Sequence, residues 1–267
     1  MTTTHTAAAR VFDLDLLARI EDAGINASAP CEQRWVDGWL VRFSPGKAKR
    51  ARCIQAVSPG RLPIADKLER CLPIYAAAGL RPYVRITPFS EPAGLDAQLE
   101  ALGMERIDDT RVMVALEFDP GKPPGGAIGH KPPPRFRIES TDSDTFVDWI
   151  GQARGSSADE RLAHARRLAH VPVPHHAAFV VDEGGTTFAG GQVAIEGDLA
   201  GLYDVHTAEV QRGRGLAREL CTHLLKHAFA SGARIGYLQV DAGNEVARRI
   251  YRRLGFADAY AYHYRAG

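Results

Sequence analysis

Slid against itself by 152 positions, the distance from Leu102 to Leu254, the sequence repeats its own pattern without a gap. Leu102-Gly103-Met104 falls on Leu254-Gly255-Phe256, the strand-like residues 52–57 on 204–209, and the helical pattern of 64–78 on 216–230. Residues 84–86 fall near the strand beginning at Gly236. One register across four elements indicates duplication, so both halves must fold to the same plan. Between them runs DPGKPPGGAIGHKPPP, residues 119–134. Proline removes backbone donors and fixes φ, and glycine raises the entropic cost of order, so this stretch reads as a linker. The expected division is 10–118, a linker at 119–134, and 135–267.

The chain has 267 residues, 45% of them apolar, enough for two hydrophobic cores. Its 33 basic and 32 acidic residues nearly cancel. A net charge of +1 gives no broad pull on phosphate backbones or anionic lipid, so neither nucleic acid nor a membrane is expected as a partner. No apolar run approaches the roughly 18 residues that span a bilayer. Met1-Thr2-Thr3-Thr4-His5-Thr6 lacks the basic flank of a secretory signal and reads as a frayed tail. Cys31, Cys53, Cys71 and Cys221 are scattered, without a Cys-x-x-Cys pair. They read as reduced, mostly buried thiols of a cytoplasmic protein, and no metal site is expected. His175-His176, just after Pro172 and Pro174, raises metal binding as an option but reads as an exposed loop, because no carboxylate or cysteine stands nearby in sequence.

The second half has a regular rhythm. Strands are expected at 136–138, 177–181, 188–195, Leu199–Thr207, 235–240 and 257–264. Helices are expected after the capping residues Thr141-Asp142-Ser143-Asp144, over 158–169, over 216–230 to a glycine stop at Gly232, and after Asn244. The order β-α-α-β-β-β-α-β-α-β makes an α/β (α+β) sandwich around a mixed sheet.

Chemistry concentrates where the fourth of these strands meets the long helix, at Arg212-Gly213-Arg214-Gly215-Leu216-Ala217. A helix start presents unpaired N–H groups and partial positive charge, which suit an anion. Glycines there allow a sharp turn and close approach of a phosphate. A Walker A loop is absent, and a Rossmann fingerprint lacks its third small residue, since Arg218 stands there. A Gly-rich turn with exposed arginines is the plain alternative.

The next strand leads to Asn244-x-x-Ala247-x-x-x-Tyr251-x-x-Leu254-Gly255-Phe256. Together the two segments resemble the acetyl-CoA site of the GNAT superfamily, whose loop has the form Arg/Gln-x-x-Gly-x-Gly/Ala. Arg212, Gly215 and Ala217 fill those positions, and the resemblance covers most of 135–265. It implies two GNAT-like three-layer sandwiches and an acetyl-CoA-dependent N-acetyltransferase, with acetyl-CoA as acyl-donor cosubstrate and a small-molecule or peptide amine as acceptor. The amides of Gly213, Arg214, Gly215, Leu216 and Ala217 would hold the pyrophosphate. Val205 to Thr207 would offer backbone groups to pantetheine, and Asn244 would bond near the sulfur end. Tyr251 would protonate the departing thiolate, as a phenol of pKa near 10 is suited to do. Asp204, His206, Glu196 and Glu209 are candidate bases. On a regular strand Asp204 and His206 would share a face.

The first half lacks this chemistry. Gly60, Arg61, Pro63 and Ala65 stand where Arg212, Gly213, Gly215 and Ala217 do, and Pro63 has no N–H to give. Leu99 replaces Tyr251, and Pro92 replaces Asn244. Residues 10–118 therefore read as a degenerate GNAT-like half that shapes the acceptor cleft or mimics a dimer partner, in a monomer or homodimer. Residues 35–43 read as one strand with aromatic flanks. A non-catalytic acyl-CoA-binding regulator is the alternative function, and a scaffold binding neither ligand the third.

Overall fold

The computed structural model describes residues 12–116 and 136–267. The first half runs α1 (Leu14–Asn26), β1 (Glu32–Val36), β2 (Trp39–Phe43), β3 (Ile54–Ala56), α2 (Ile64–Ala77), β4 (Tyr83–Ile86), α3 (Leu95–Ala101) and β5 (Glu105–Ala115). The second runs β6 (Phe136–Thr141), α4 (Ser143–Ala153), α5 (Ala158–His170), β7 (His175–Asp182), β8 (Thr187–Glu196) and β9 (Leu199–Thr207). It continues with α6 (Leu216–Ala230), β10 (Ile235–Asp241), α7 (Glu245–Arg253) and β11 (Ala257–Ala266). α2, β4 and β5 begin at Ile64, Tyr83 and Glu105. Their counterparts α6, β10 and β11 begin at Leu216, Ile235 and Ala257, so the 152-residue offset of the sequence is also the offset of the elements. The expected linker and the N-terminal tail lie outside the described residues.

The two halves build one mixed eleven-stranded sheet in the order β1-β2-β3-β4-β11-β5-β10-β9-β8-β7-β6. Each half gives its last strand to the other. β5 lies between β10 and β11, and β11 lies between β4 and β5. All pairs are antiparallel except β3 with β4 and β9 with β10, which occupy equivalent places in the two halves.

Local chemistry fixes the helices that flank the site. Asp142 caps α4 by accepting from the Thr145 N–H at 2.8 Å, and Ser157 and Glu160 form a capping box on α5. The apolar stripe of α6 (Leu216, Leu220, Leu224, Leu225, Ala228) packs on Val193, Leu202 and Leu238 of the sheet. On the opposite face, Leu17, Ile20 and Ala23 of α1 join a cluster with Tyr203, Tyr237, Tyr262 and Tyr264. A first-half helix thus closes the core beneath second-half strands.

Two local expectations are corrected. Residues 35–43 are not one strand but a hairpin, β1 and β2, turned at Asp37-Gly38 with φ of 43° and 85°. Positive φ at both turn residues matches the twist of the flanking strands, and Asp-Gly is a favoured pair for it. His175-His176 is not a loop. The pair opens β7 and lies against Ala194 and Val193 of β8, and the His176 ring stacks on His227 at 3.7 Å. Cys53, Cys71 and Cys221 are buried and Cys31 is exposed, all four as free thiols. Among the described residues no helix is long and apolar enough to cross a membrane.

The sheet opens at one place. β9 and β10 pair only from Leu199 to Leu202 against Ile235 to Leu238, and beyond that they part. Just past the fork β9 carries a bulge. Asp204 and Val205 oppose the single Gly191 of β8, and Asp204 takes φ of 53°.

Candidate active site

The bend into α6 leaves its amides open. Gly213 and Gly215 both take φ of 80°, a conformation that disfavours a β-carbon, and a Cβ built at either would meet nothing within 4 Å. Gly215 is the N-cap and supplies no capping side chain. The N–H groups of residues 213–218 donate to no acceptor among the described residues. At the positive end of a fifteen-residue helix, they form a site for an anion.

These amides face a cleft of about 1000 Å³. Val205, His206 and Thr207 of β9 line it together with Arg212, Gly213, Arg214, Gly215, Leu216, Ala217, Asn244 and Tyr251. It therefore gathers every residue expected at the site except three of the candidate bases, Asp204, Glu196 and Glu209. Because β10 has turned away, one backbone edge of Val205 to Thr207 has no strand partner among the described residues, the geometry an extended ligand needs to pair with it. The Asn244 side-chain oxygen accepts from the Ala247 N–H at 3.1 Å, so this residue caps α7 as well as lining the cleft.

Sequence reasoning missed part of the lining. Arg218, Arg249 and Arg253 also reach the cleft. Arg212 pairs with Glu209 and Arg218 with Glu219, each at 3.1 Å, while Arg214, Arg249 and Arg253 have no ion pair among the described residues. The readable signal was the spacing of Arg249 and Arg253, four apart and hence on one face of the helix that carries Tyr251.

Tyr251 is half-buried against the α6 core, its ring edge-on to Phe256 at 6.2 Å. Burial, with Cys221 nearby, pushes its pKa above the ordinary 10, so it holds its proton at neutral pH. His206 lies edge-on to Trp149 at 5.9 Å. Burial and the cations of Arg154 and Arg212 lower its pKa, so its imidazole is neutral at pH 7 and free to accept a proton.

Asp204 does not join His206. The bulge breaks the regular alternation on which a shared face depended, and Asp204 lines a second cavity, of about 260 Å³. There it accepts from Arg154 Nη1 at 2.5 Å and from Gln192 Nε2 at 2.8 Å. Burial alone would raise its pKa, but Arg154, His164 and Arg167 outweigh that and hold it well below the usual carboxylate range. Of the other candidate bases, Glu196 binds Asn26, and Glu209 is 83% exposed beside Arg212.

The matching bend of the first half is occupied from within. The Asp37 carboxylate accepts from the N–H groups of Arg61 and Leu62, both at 2.8 Å, and Lys67 stands beside it, fully buried. Arg61 and Leu62 are the counterparts of Gly213 and Arg214. An internal carboxylate takes the amides that the second half leaves open, and Pro63 supplies none.

A sheet forked beside an uncapped, glycine-led helix, with a protonated tyrosine across the cleft, defines an acetyltransferase of the GNAT superfamily. Within it, the family model described as "Probable histone acetyltransferase Rv0428c C-terminal" matches residues 17–265, and the chain belongs to that family. It is similar to the "Uncharacterized N-acetyltransferase YobR" of Bacillus subtilis, 26% identical over 253 residues, 94% of this chain and 99% of that protein. Among solved structures, a GCN5-related N-acetyltransferase from Kribbella flavida superposes with a TM-score of 0.68 at 18% identity, covering 93% of this chain and 94% of its own. A tandem GNAT protein from the clavulanic acid biosynthesis pathway gives 0.59 at 13% identity, covering 76% and 69%.

Proposed function

We propose that this N-acetyltransferase takes acetyl-CoA in the cleft between β9 and α7 and transfers the acetyl group directly to an amine in a ternary complex. The observation that carries this reading is the run of open amides at 213–218 inside an arginine-lined cleft, a polyanion site at the mouth of the fork. The amides and Arg214 hold the pyrophosphate. Arg249 and Arg253 add charge for the remaining phosphate. The free edge of Val205 to Thr207 pairs with pantetheine. The amine nitrogen attacks the thioester carbonyl, and its proton passes to neutral His206, directly or through water. As the C–S bond breaks, the Tyr251 hydroxyl gives its proton to the thiolate. Holding both reactants in register supplies much of the acceleration. The first half, with its bend filled by Asp37, binds no CoA.

A second reading, a regulator that binds acyl-CoA without turnover, draws on Asp204. That carboxylate is committed to Arg154, which leaves His206 as the base at the cleft. Thiol release measured over an amine panel separates the two. Transfer is expected, and Tyr251→Phe should lower kcat by about 10²- to 10⁴-fold with little change in acetyl-CoA affinity by calorimetry. Full turnover by Tyr251→Phe would remove the assigned acid.

A further inference from the structure

The second cavity lies between the halves. Ser44, Gly46 and Lys47, which follow β2, line it from one side, and α4 and α5 from the other. In it stands Arg167 of α5, only 8% exposed. Its guanidinium makes no hydrogen bond or ion pair with any described residue.

Every other charge around it has a partner. Arg154 holds Asp204. Lys47 lies 3.5 Å from Glu160 and donates to the carbonyls of Arg154 and Gly155. Arg161 reaches Asp148 at 3.1 Å. Arg50 donates to Gln239 and to the Tyr262 hydroxyl. The acids of the lining, Glu160 and Asp204, are thus both engaged, and burial keeps His164 neutral, with a pKa of about 4. An arginine stays charged under all ordinary conditions, and the acid that acts on it through space, Asp204, is already held by Arg154 and Gln192, so the guanidinium has no carboxylate of its own to bond. Its planar fork matches a carboxylate or phosphate.

We infer that the acceptor amine carries an anionic group, a carboxylate or a phosphate monoester, that docks on Arg167 in the cavity between the halves. This rests on the reading of the chain as an amine acetyltransferase. Asp204 lines this cavity and Val205 the cofactor cleft, so the two adjoin at the β9 bulge. A volume of about 260 Å³ suits a small acceptor, of amino-acid size. Arg167 is then a positioning residue, and the anion it binds sets which amines are taken.

The test uses matched amines on the full chain loaded with CoA. Glycine and β-alanine form the carboxylate arm, O-phosphoethanolamine the phosphate arm, and glycinamide, β-alaninamide and ethanolamine the neutral partners. Calorimetry should find at least one anionic amine bound about tenfold or more tightly than its neutral partner. Arg167→Gln should erase the difference, raising KM rather than lowering kcat, with acetyl-CoA affinity unchanged. Equal or absent binding across the pairs, or a preference that survives Arg167→Gln, overturns the inference. If that variant does not fold, the wild-type pairs alone decide. Anion-dependent binding without thiol release would sink the transferase reading and leave this site standing. Turnover of neutral amines alone would do the reverse.

Discussion

The Asp37 carboxylate lies 3.4 Å from the buried ammonium of Lys67, at the bend that corresponds to the open anion site of the other half. N–H donation from Leu62, then from Arg61, together with Lys67, holds the Asp37 pKa below its ordinary 3.8 against the opposing effect of burial. Its contribution to stability is therefore present at neutral pH and is lost as the pH falls below the ordinary carboxylate value. Asp37→Ala should lower Tm by several degrees at pH 7, with a smaller gap from wild type at pH 3, and leave acetyl-CoA affinity unchanged. A several-fold loss of acetyl-CoA binding would show that the first-half bend is not merely structural.

Gly215→Pro copies the first half into the second. It removes one N–H from the anion site and demands φ near −65° where the backbone takes 80°. Calorimetry should find one acetyl-CoA per wild-type chain and at least 100-fold weaker binding to the variant. A second binding event per chain would contradict the assignment of the first half as empty.

The acid limb of activity should belong to His206. Its lowered pKa keeps the imidazole neutral, the form that accepts a proton, to a pH below the usual 6.5. Single-turnover rates should therefore hold steady down to about pH 6.5 and fall only below it. In His206→Gln that limb should vanish along with most of the rate. An unchanged profile would move the role of base to solvent.

His164 should make stability depend on pH. Burial, reinforced by Arg167 and Arg154 and opposed by Asp204, depresses its pKa from 6.5 to about 4. Between these values the unfolded chain binds a proton that the folded chain refuses. Stability is then full above about pH 7 and declines as the pH falls through 6.5, by roughly 2 kcal/mol at pH 5. Urea melts of wild type and His164→Gln at pH 7.5 and 5.0 check this, and the variant should lose that share of the slope.

Much of the second half could be read directly, because its elements carry strong local signals. The stripe from Leu216 to Ala228, the capping residue Asp142 before α4, and Asn244 at the start of α7 all stand where their patterns indicate. The lining of the larger cleft was legible for the same reason, since one loop and one helix supply most of it. What escaped depends on distant partners. Nothing local to β5 says that it inserts between β10 and β11. The bulge at Asp204 shows only in its register with β8. Arg167 looks like any helical arginine until α5 meets the segment after β2, more than a hundred residues away in sequence. The Asp37-Gly38 turn is a different miss, because the dipeptide signal was present.

The crossing of β5 and β11 binds the fate of the two halves. A chain beginning at residue 135 would leave β10 with a bare edge along Gly236 to Asp241, and β11 would lose its neighbours on both sides. Residues 135–267 alone are therefore expected not to fold, since the first half supplies the strand that seats β10 against β11.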